Sequence, residues 1–262
     1  MNDKIIQYHL SDKGVATVTL NQAHIHNAFD DNVIAALTAA FKHVGEDPAV
    51  RLMILAANGK SFCAGGDLNW MRRMATYTFD ENLRDSSLLA EMLRTLNYLP
   101  KPTIARVQGA AYGGGVGLVA CCDMAVASPD AVFCLSEVKV GLIPATIGPY
   151  VVRAIGQRAS RRYFTTAELI TAEKALALGL ISELVASDEL DSCISAITKQ
   201  ILRNGPRSIG EAKRLVLDVA DREIDADMIA DTSQRIAETR GSGEGREGLS
   251  AFLEKRKPNW IQ

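Results

Sequence analysis

The sequence predicts an α/β protein that ends in an all-helical region. Three observations carry this. Short apolar runs suited to buried strands alternate with segments of helical period up to residue 135. Two glycine-rich turns each lead from a strand-like run into a helix. Beyond about Ala186 strand signals stop and only helical periodicity remains.

Residues 4 to 21 alternate apolar and polar side chains around Lys13-Gly14, as in Ile6, Tyr8, Leu10 and then Val15, Thr17, Thr19, which predicts a hairpin entering a sheet. Asp30 is placed to cap a helix in which Val33, Leu37, Ala40, Phe41 and Val44 share one face, ending before Pro48. Leu52 to Ala56 reads as a buried strand. Helices are predicted near Leu68 to Met74 and over Asn82 to Leu96, the second stopped by Pro100 and Pro102. Thr103 to Val107 is a further strand. Gly113-Gly114-Gly115 opens a run from Val116 to Cys122 that is apolar all round and therefore a buried helix. Met124 to Ala127 and Val132 to Leu135 read as strands. The tail carries helical patterns over Glu189 to Leu202, Pro206 to Ala220, Ala226 to Glu238 and Gly245 to Lys255, and is expected to pack on the core or on a neighbouring subunit.

A chain of 262 residues removes about 73% of its unfolded surface from water on folding, enough for a full core. Hydrophobic residues at 47% and charged residues at 23% exclude disordered, collagenous and coiled-coil classes. With 29 basic and 31 acidic residues the net charge is -2, so no bulk positive field gathers nucleic acid or anionic lipid. The N-terminus lacks the charged start and apolar stretch of a signal peptide, and no run approaches a membrane span, which predicts cytoplasmic residence. Cys63, Cys121, Cys122, Cys134 and Cys193 contain no C-x-x-C pair and read as buried thiols, neither a disulfide framework nor a metal site.

Several chemistries lack their residues. The histidines are His9, His24, His26 and His43, and none has a partner at a telling spacing; His24-Ile25-His26 lacks the Cys or carboxylate pattern of a metal site. No G-x-S-x-G elbow and no Walker loop are present. Gly243, Gly245 and Gly248 match G-x-G-x-x-G, but no strand precedes them and no acidic residue follows at the required distance, so the match is accidental.

The stronger feature is the pair of turns, Phe62-Cys63-Ala64-Gly65-Gly66-Asp67-Leu68 and Tyr112-Gly113-Gly114-Gly115-Val116-Gly117-Leu118. First turns of helices offer unpaired N–H donors and a positive dipole end, so two that converge make a cradle for a developing oxyanion. The alternative is that these glycines serve tight backbone packing alone. Glu137, following the apolar run at 132 to 135, is the carboxylate that could face such a cradle; the alternative is a solvated loop residue.

These residues, with Q-G-A-A-Y-G-G-G at 108 to 115, C-D at 122 to 123, S-E-V-K-V-G-L-I-P at 136 to 144 and A-F-L-E-K-R-K-P at 251 to 258, resemble the crotonase (enoyl-CoA hydratase/isomerase) superfamily along almost the whole chain. The resemblance implies a spiral of β-β-α turns over residues 1–187 carrying an acyl-CoA site. It implies a C-terminal helical region over 188–262 that builds homotrimers, often paired into hexamers. By position it makes Gly66 and Gly114 the oxyanion-hole donors and Glu137 the acid/base. Ile25, Ala64, Asp67, Leu68, Asn69, Tyr112, Gly117, Phe252 and Lys255 become substrate-binding positions, with Phe252 and Lys255 reaching a neighbouring subunit's acyl pocket and CoA phosphates. Coenzyme A enters as part of the substrate, and no separate cofactor, metal, nucleic acid or membrane is implied.

The sequence departs from the family where a second catalytic glutamate is usual: the position is Gly117. A hydratase using Glu137 for both water and proton is the first reading, with Gly117 making room for a branched acyl chain or a water. A single-base isomerase is the second, and a non-catalytic acyl-CoA binder the third. The segments at 65 to 74 and 112 to 118 resemble bacterial methylglutaconyl-CoA and isohexenylglutaconyl-CoA hydratases. The substrate expected is therefore a 3-substituted, carboxylated enoyl-CoA, with Tyr112 and Trp70 lining the cavity. Arg72, Arg73, Arg84 and Lys139 are the basic candidates for its carboxylate. Asn69 stands where many members have a CoA-binding lysine, so Arg72 or Arg73 could meet the phosphates, or be surface residues only.

Overall fold

The computed structural model describes residues 4–261. The alternation at the N-terminus gives strands β1 (Ile6–Leu10) and β2 (Val15–Leu20), paired antiparallel across the Lys13-Gly14 turn. Asp30 caps α1 (Asp31–Glu46), its carboxylate accepting the Val33 N–H at 2.8 Å, and the predicted apolar face is buried. β3 (Leu52–Ala57) follows, then α2 (Leu68–Met74) and α3 (Phe79–Asn97). α3 starts earlier than the periodicity predicts because Thr78 and Glu81 form a reciprocal capping box. Next come β4 (Thr103–Val107), β5 (Ala111–Tyr112), α4 (Gly114–Cys121), β6 (Met124–Ala127) and β7 (Val132–Cys134).

The sequence patterns assign no element between 136 and 186, yet this stretch holds α5 (Gly148–Thr166), β8 (Ile170–Thr171), α6 (Ala172–Leu178) and β9 (Glu183–Leu184). The physical reason is local: α5 is interrupted at Gly156, whose φ of 75° breaks the helical phase, and its strands are two residues long. The tail is α7 (Leu190–Leu202), α8 (Pro206–Val219), α9 (Ala226–Gly241) and α10 (Gly243–Leu253), as the periodicity predicts.

Among the described residues, six strands form one sheet in the order β1-β2-β3-β4-β6-β9, parallel from β2 onward, and β5-β7-β8 form a second, smaller sheet. α1 and α3 pack together on the core side of the large sheet with Phe41, Leu37, Met92 and Leu96 fully buried. α7 packs Leu190 and Ile194 against Leu52, Ile104 and Val126. Polar ties fasten the tail: Lys213, 10% exposed, bonds Asp123 at 2.9 Å and the Lys101 carbonyl, and Arg106 grips Asp191 with two bonds. No helix among the described residues is long and apolar enough to cross a membrane.

Gly243, Gly245 and Gly248 lie at the start of and inside α10, capped by Ser242. A β-carbon on Gly245 would strike the Thr239 carbonyl and one on Gly248 would touch Trp260, so helix packing accounts for these two glycines.

Candidate active site

The first glycine-rich turn lies beyond the carboxyl end of β3 in the large sheet and the second follows β5 in the small one, at the strand ends where open α/β sheets place ligands. There the turns run side by side. Cys63 bridges Ala111, Tyr112 N–H donates to the Cys63 carbonyl at 2.8 Å, and a β-carbon on Gly65, at φ 92°, would lie 3.3 Å from the Tyr112 carbonyl oxygen. Phe29 joins the two. Its backbone bonds Gly65 and Asp67 at 2.7 Å each, and its buried ring lies where a Gly114 β-carbon would come within 2.4 Å.

Among the described residues, neither the Gly66 nor the Gly114 N–H donates to an acceptor within the chain. Gly66 precedes the Asp67 cap of α2, whose carboxylate takes the Asn69 and Trp70 N–H groups, and Gly114 is the first residue of α4. Two free donors on adjoining turns are what an oxyanion cradle requires. Gly113, at φ 50°, makes the turn into α4 in a conformation a side chain would strain.

Glu137 opens a 3₁₀ turn, Glu137–Val140, three residues after the end of β7, closed by Gly141 in the left-handed region. Its Oε1 would lie 3.1 Å from a Gly113 β-carbon, so the carboxylate sits against the second glycine turn. Oε2 is buried and has no hydrogen-bond partner. Burial raises the Glu137 carboxyl above the usual carboxylate range, opposed by a weaker bond to its own backbone.

Gly117 does not release free volume. It is buried, and a β-carbon there would stand 2.3 Å from Ile147 Cγ2 and 3.4 Å from Leu93 Cδ2. Ile147, 1% exposed, fills the place expected to hold a branch or a water, and it also leaves no room for a glutamate.

Trp70 is 5% exposed, with its ring 3.6 Å from a Gly66 β-carbon, and its indole N–H donates to Asp85 Oδ1 on α3 at 3.1 Å. The sequence reading missed Asp85. The available signal was its helical spacing with Leu89, Met92 and Leu96, which puts it on the packed face of α3.

Other candidates are distributed as follows. Ile25 ends a short 3₁₀ turn, and the Ala64 N–H donates to the adjacent His26 carbonyl at 3.0 Å, which joins these two segments. Leu68 is exposed and Tyr112 half-buried. Arg72 is committed to Asn69 Oδ1 at 2.7 Å and Arg73 to Asp31, while Arg84 and Lys139 make no ion pair among the described residues. Phe252 is 80% exposed and Lys255 adopts φ 55° just past α10. His26 Nδ1 pairs with Ser61 Oγ at 3.1 Å, and no cluster of three metal-ligating side chains occurs among the described residues. Cys63, Cys121 and Cys134 are buried and Cys122 and Cys193 half-buried; burial pushes the Cys63 and Cys122 thiols up to about 12.

Residues 11–262 match the enoyl-CoA hydratase/isomerase family. A crotonyl-CoA hydratase from Syntrophomonas wolfei is 30% identical over 249 residues, covering 94% of each chain. An enoyl-CoA hydratase structure from Shewanella pealeana superposes with a TM-score of 0.95 at 46% identity, covering 98% of this chain and 96% of that one. Another from Mycobacterium smegmatis gives 0.93 at 36% identity, covering 98% and 99%. The fold is that of these enzymes: the α/β core and helical tail that the resemblance implies.

Proposed function

We propose, from the premise that this chain belongs to the enoyl-CoA hydratase/isomerase family, that it hydrates the C2–C3 double bond of a branched, carboxylated enoyl-CoA of the 3-methylglutaconyl-CoA type, with Glu137 as its acid and base. The observation that carries the reading is the half-buried Glu137, its Oε2 enclosed and unpartnered and its carboxylate set against the turn whose Gly114 N–H is free.

The thioester oxygen sits between the Gly66 and Gly114 N–H groups, which stabilise negative charge as it develops there. Ionised Glu137 accepts a proton from water while the water oxygen bonds to C3, and the C2–C3 electron pair moves toward the thioester as an enolate. Protonated Glu137 then returns that proton to C2. One carboxylate serving both steps works from one face, so addition is syn. A raised carboxyl pKa suits this double duty, because the acid form must be accessible in the second step.

A branched, carboxylated acyl group is supported by the motif likeness and by Lys139, exposed and unpaired on the same 3₁₀ turn as Glu137. A distal carboxylate leaving water needs such a cation. Gly117 lends no support, since Ile147 occupies its surroundings. The lone carboxylate also fits an isomerase moving one proton between C2 and C4, which is the second reading. For the tail, the exposed Phe252, Leu253 and Ile229 support burial in a homotrimer or hexamer, with 188–262 supplying the interface.

The test is a panel of crotonyl-, 3-methylcrotonyl- and 3-methylglutaconyl-CoA followed by loss of conjugated absorbance. The highest kcat/KM is expected for 3-methylglutaconyl-CoA. A higher value for crotonyl-CoA, or no turnover of the carboxylated compound, overturns the substrate assignment.

A further inference from the structure

At the opposite edge of the sheet from the glycine turns, a cavity of about 730 Å³ is walled by the β1–β2 turn, the loop before β3, the end of α7 and the C-terminal segment. The six-residue register of β2 on β3, from Val15 with Leu52 to Leu20 with Ala57, puts the length of a strand, roughly 17–20 Å, between the two edges.

The charge on the cavity wall is one-sided. Lys13, Arg51, Lys199, Arg203 and Lys257 line it with Asp12 as the one carboxylate, a formal +4 in a chain whose total is -2. A cavity of this volume is about one Debye length across at physiological salt, so the cations feel one another. Among the described residues, none of the five is in an ion pair.

Local structure explains part of this charge. The end of α7 presents carbonyls, and a helix C-terminus carries about half a negative charge. Arg51 answers it, donating to the Leu202 and Asn204 carbonyls, the latter at 2.8 Å. Its position is built: Gly14, at φ 78°, has no β-carbon where one would lie 2.7 Å from Arg51 Cγ, and the Gly14 carbonyl accepts the Arg51 N–H at 2.7 Å. Arg51 Nε is nevertheless buried with no acceptor. The dipole and the field of Glu244 answer Arg51, and Asp12 offsets one further charge, so the four cations Lys13, Lys199, Arg203 and Lys257 keep a formal surplus of +3 on the wall. Trp260 lines the same cavity, fixed by its N–H bond to the Arg203 carbonyl at 3.2 Å and by its ring edge over Gly248.

We propose that this cavity binds a polyphosphate group, free or carried by a nucleotide. Several phosphate oxygens accept from lysine and arginine donors at once, and the ligand relieves repulsion that the folded chain otherwise sustains. Trp260 gives a nucleotide base an aromatic surface beside the cations.

The test is calorimetric titration of the full-length protein with pyrophosphate and, separately, with ADP, at low and at physiological ionic strength, alongside the exposed double variant Lys13→Gln/Arg203→Gln. The expected result is saturable binding with Kd below about 1 mM at low salt, weakened at least tenfold in the double variant and weakened by salt, with the variant's acyl-CoA kcat and KM unchanged. Tighter binding of ADP than of pyrophosphate assigns the site to a nucleotide, and equal binding assigns it to free polyphosphate. Absence of saturable binding, or equal binding by the variant, overturns the proposal. A variant whose KM for acyl-CoA rises in step with its loss of ADP binding also overturns it, by placing these cations in the coenzyme site. Hydratase turnover is read independently, so failure here leaves the reading of Glu137 untouched.

Discussion

The glycine turns and the helical tail obey opposite economies of packing. At the turns, β-carbons on Gly114, Gly115 and Gly117 would meet Phe29, Cys63 and Ile147 at 2.4, 2.8 and 2.3 Å, so nearly every missing atom is accounted for by a buried neighbour. On the tail, Val216, Ile229, Phe252 and Leu253 are all more than half exposed, and α8 has no buried residue. The glycine positions of the first region are filled within one chain and their geometry is set by sterics, although Leu68 at the end of the first turn stays exposed. The second leaves these apolar side chains uncovered by its own chain, as the proposed assembly through the tail requires. Substitutions should therefore act through chemistry and packing at the turns, and through assembly on the tail.

The largest effect is expected at Glu137, whose Oε2 is buried beside the second turn without a hydrogen-bond partner. Glu137→Gln should keep acyl-CoA affinity and lower kcat by about 10²- to 10⁴-fold, measured by steady-state hydration. Turnover near that of the unsubstituted protein would move the chemistry elsewhere. The same substitution should raise thermal stability at neutral pH. A carboxyl raised by burial binds its proton more tightly folded than unfolded, so its cost to stability is absent below the ordinary unfolded range, grows as pH rises through that range and is complete above the folded pKa. The Tm advantage of Glu137→Gln should thus shrink as pH falls toward about 4. A constant advantage across pH would attribute it to shape instead of charge.

Two glycines three residues apart on α4 sharpen the comparison. Gly114 has a free N–H and a rigid aromatic ring against it, whereas the Gly117 N–H is used by the Gly113 carbonyl and the branched Cγ2 and Cβ of Ile147 stand against it. Gly114→Ala must displace Phe29 or the turn, and misplacing one oxyanion donor costs about 10²- to 10³-fold in kcat. Gly117→Ala should instead cost about 1–3 kcal/mol of stability by overpacking. In a double-mutant cycle with Ile147→Ala the two changes should couple favourably. Additive costs would show that Ile147 is not what excludes a side chain at 117.

Much of this was legible in the sequence, for a physical reason. Hydrophobic period, caps and breakers are local, so α1 with Asp30, β4 before the glycine turn and the tail helices fall where their patterns put them. The α5 pattern is hidden by a local break of phase at Gly156, whereas β8 and β9 are set by tertiary contact, existing as two-residue pairings with strands far off in sequence. The site divides likewise. Glu137 and both turns stand out as residue types in motifs, but the filling of the space at Gly117 depends on Ile147, thirty positions on, and the Trp70–Asp85 bond depends on how α2 meets α3. A glycine in a sequence does not say whether its missing side chain is replaced by solvent, substrate or a neighbour.

The smallest effect is expected on the tail, and it decides whether the contrast between the regions is real. Phe252 is 80% exposed and its neighbour Leu253 77% exposed, so within one chain Phe252→Ala removes little buried area and should change intrinsic stability by no more than about 0.5 kcal/mol. If the tail is an interface, the same change should lower the concentration-dependent part of Tm and shift sedimentation toward smaller species, because burial that a single chain does not provide is lost only in the assembly. If Phe252 also covers a neighbouring subunit's acyl site, KM for acyl-CoA should rise while kcat at saturation is kept. A variant that keeps its assembly, its concentration dependence and its KM would return the tail to ordinary surface, and the oligomer reading would fall with it. A large loss of stability in dilute, dissociated protein would break the comparison from the other side, by showing that the tail is finished within the chain after all.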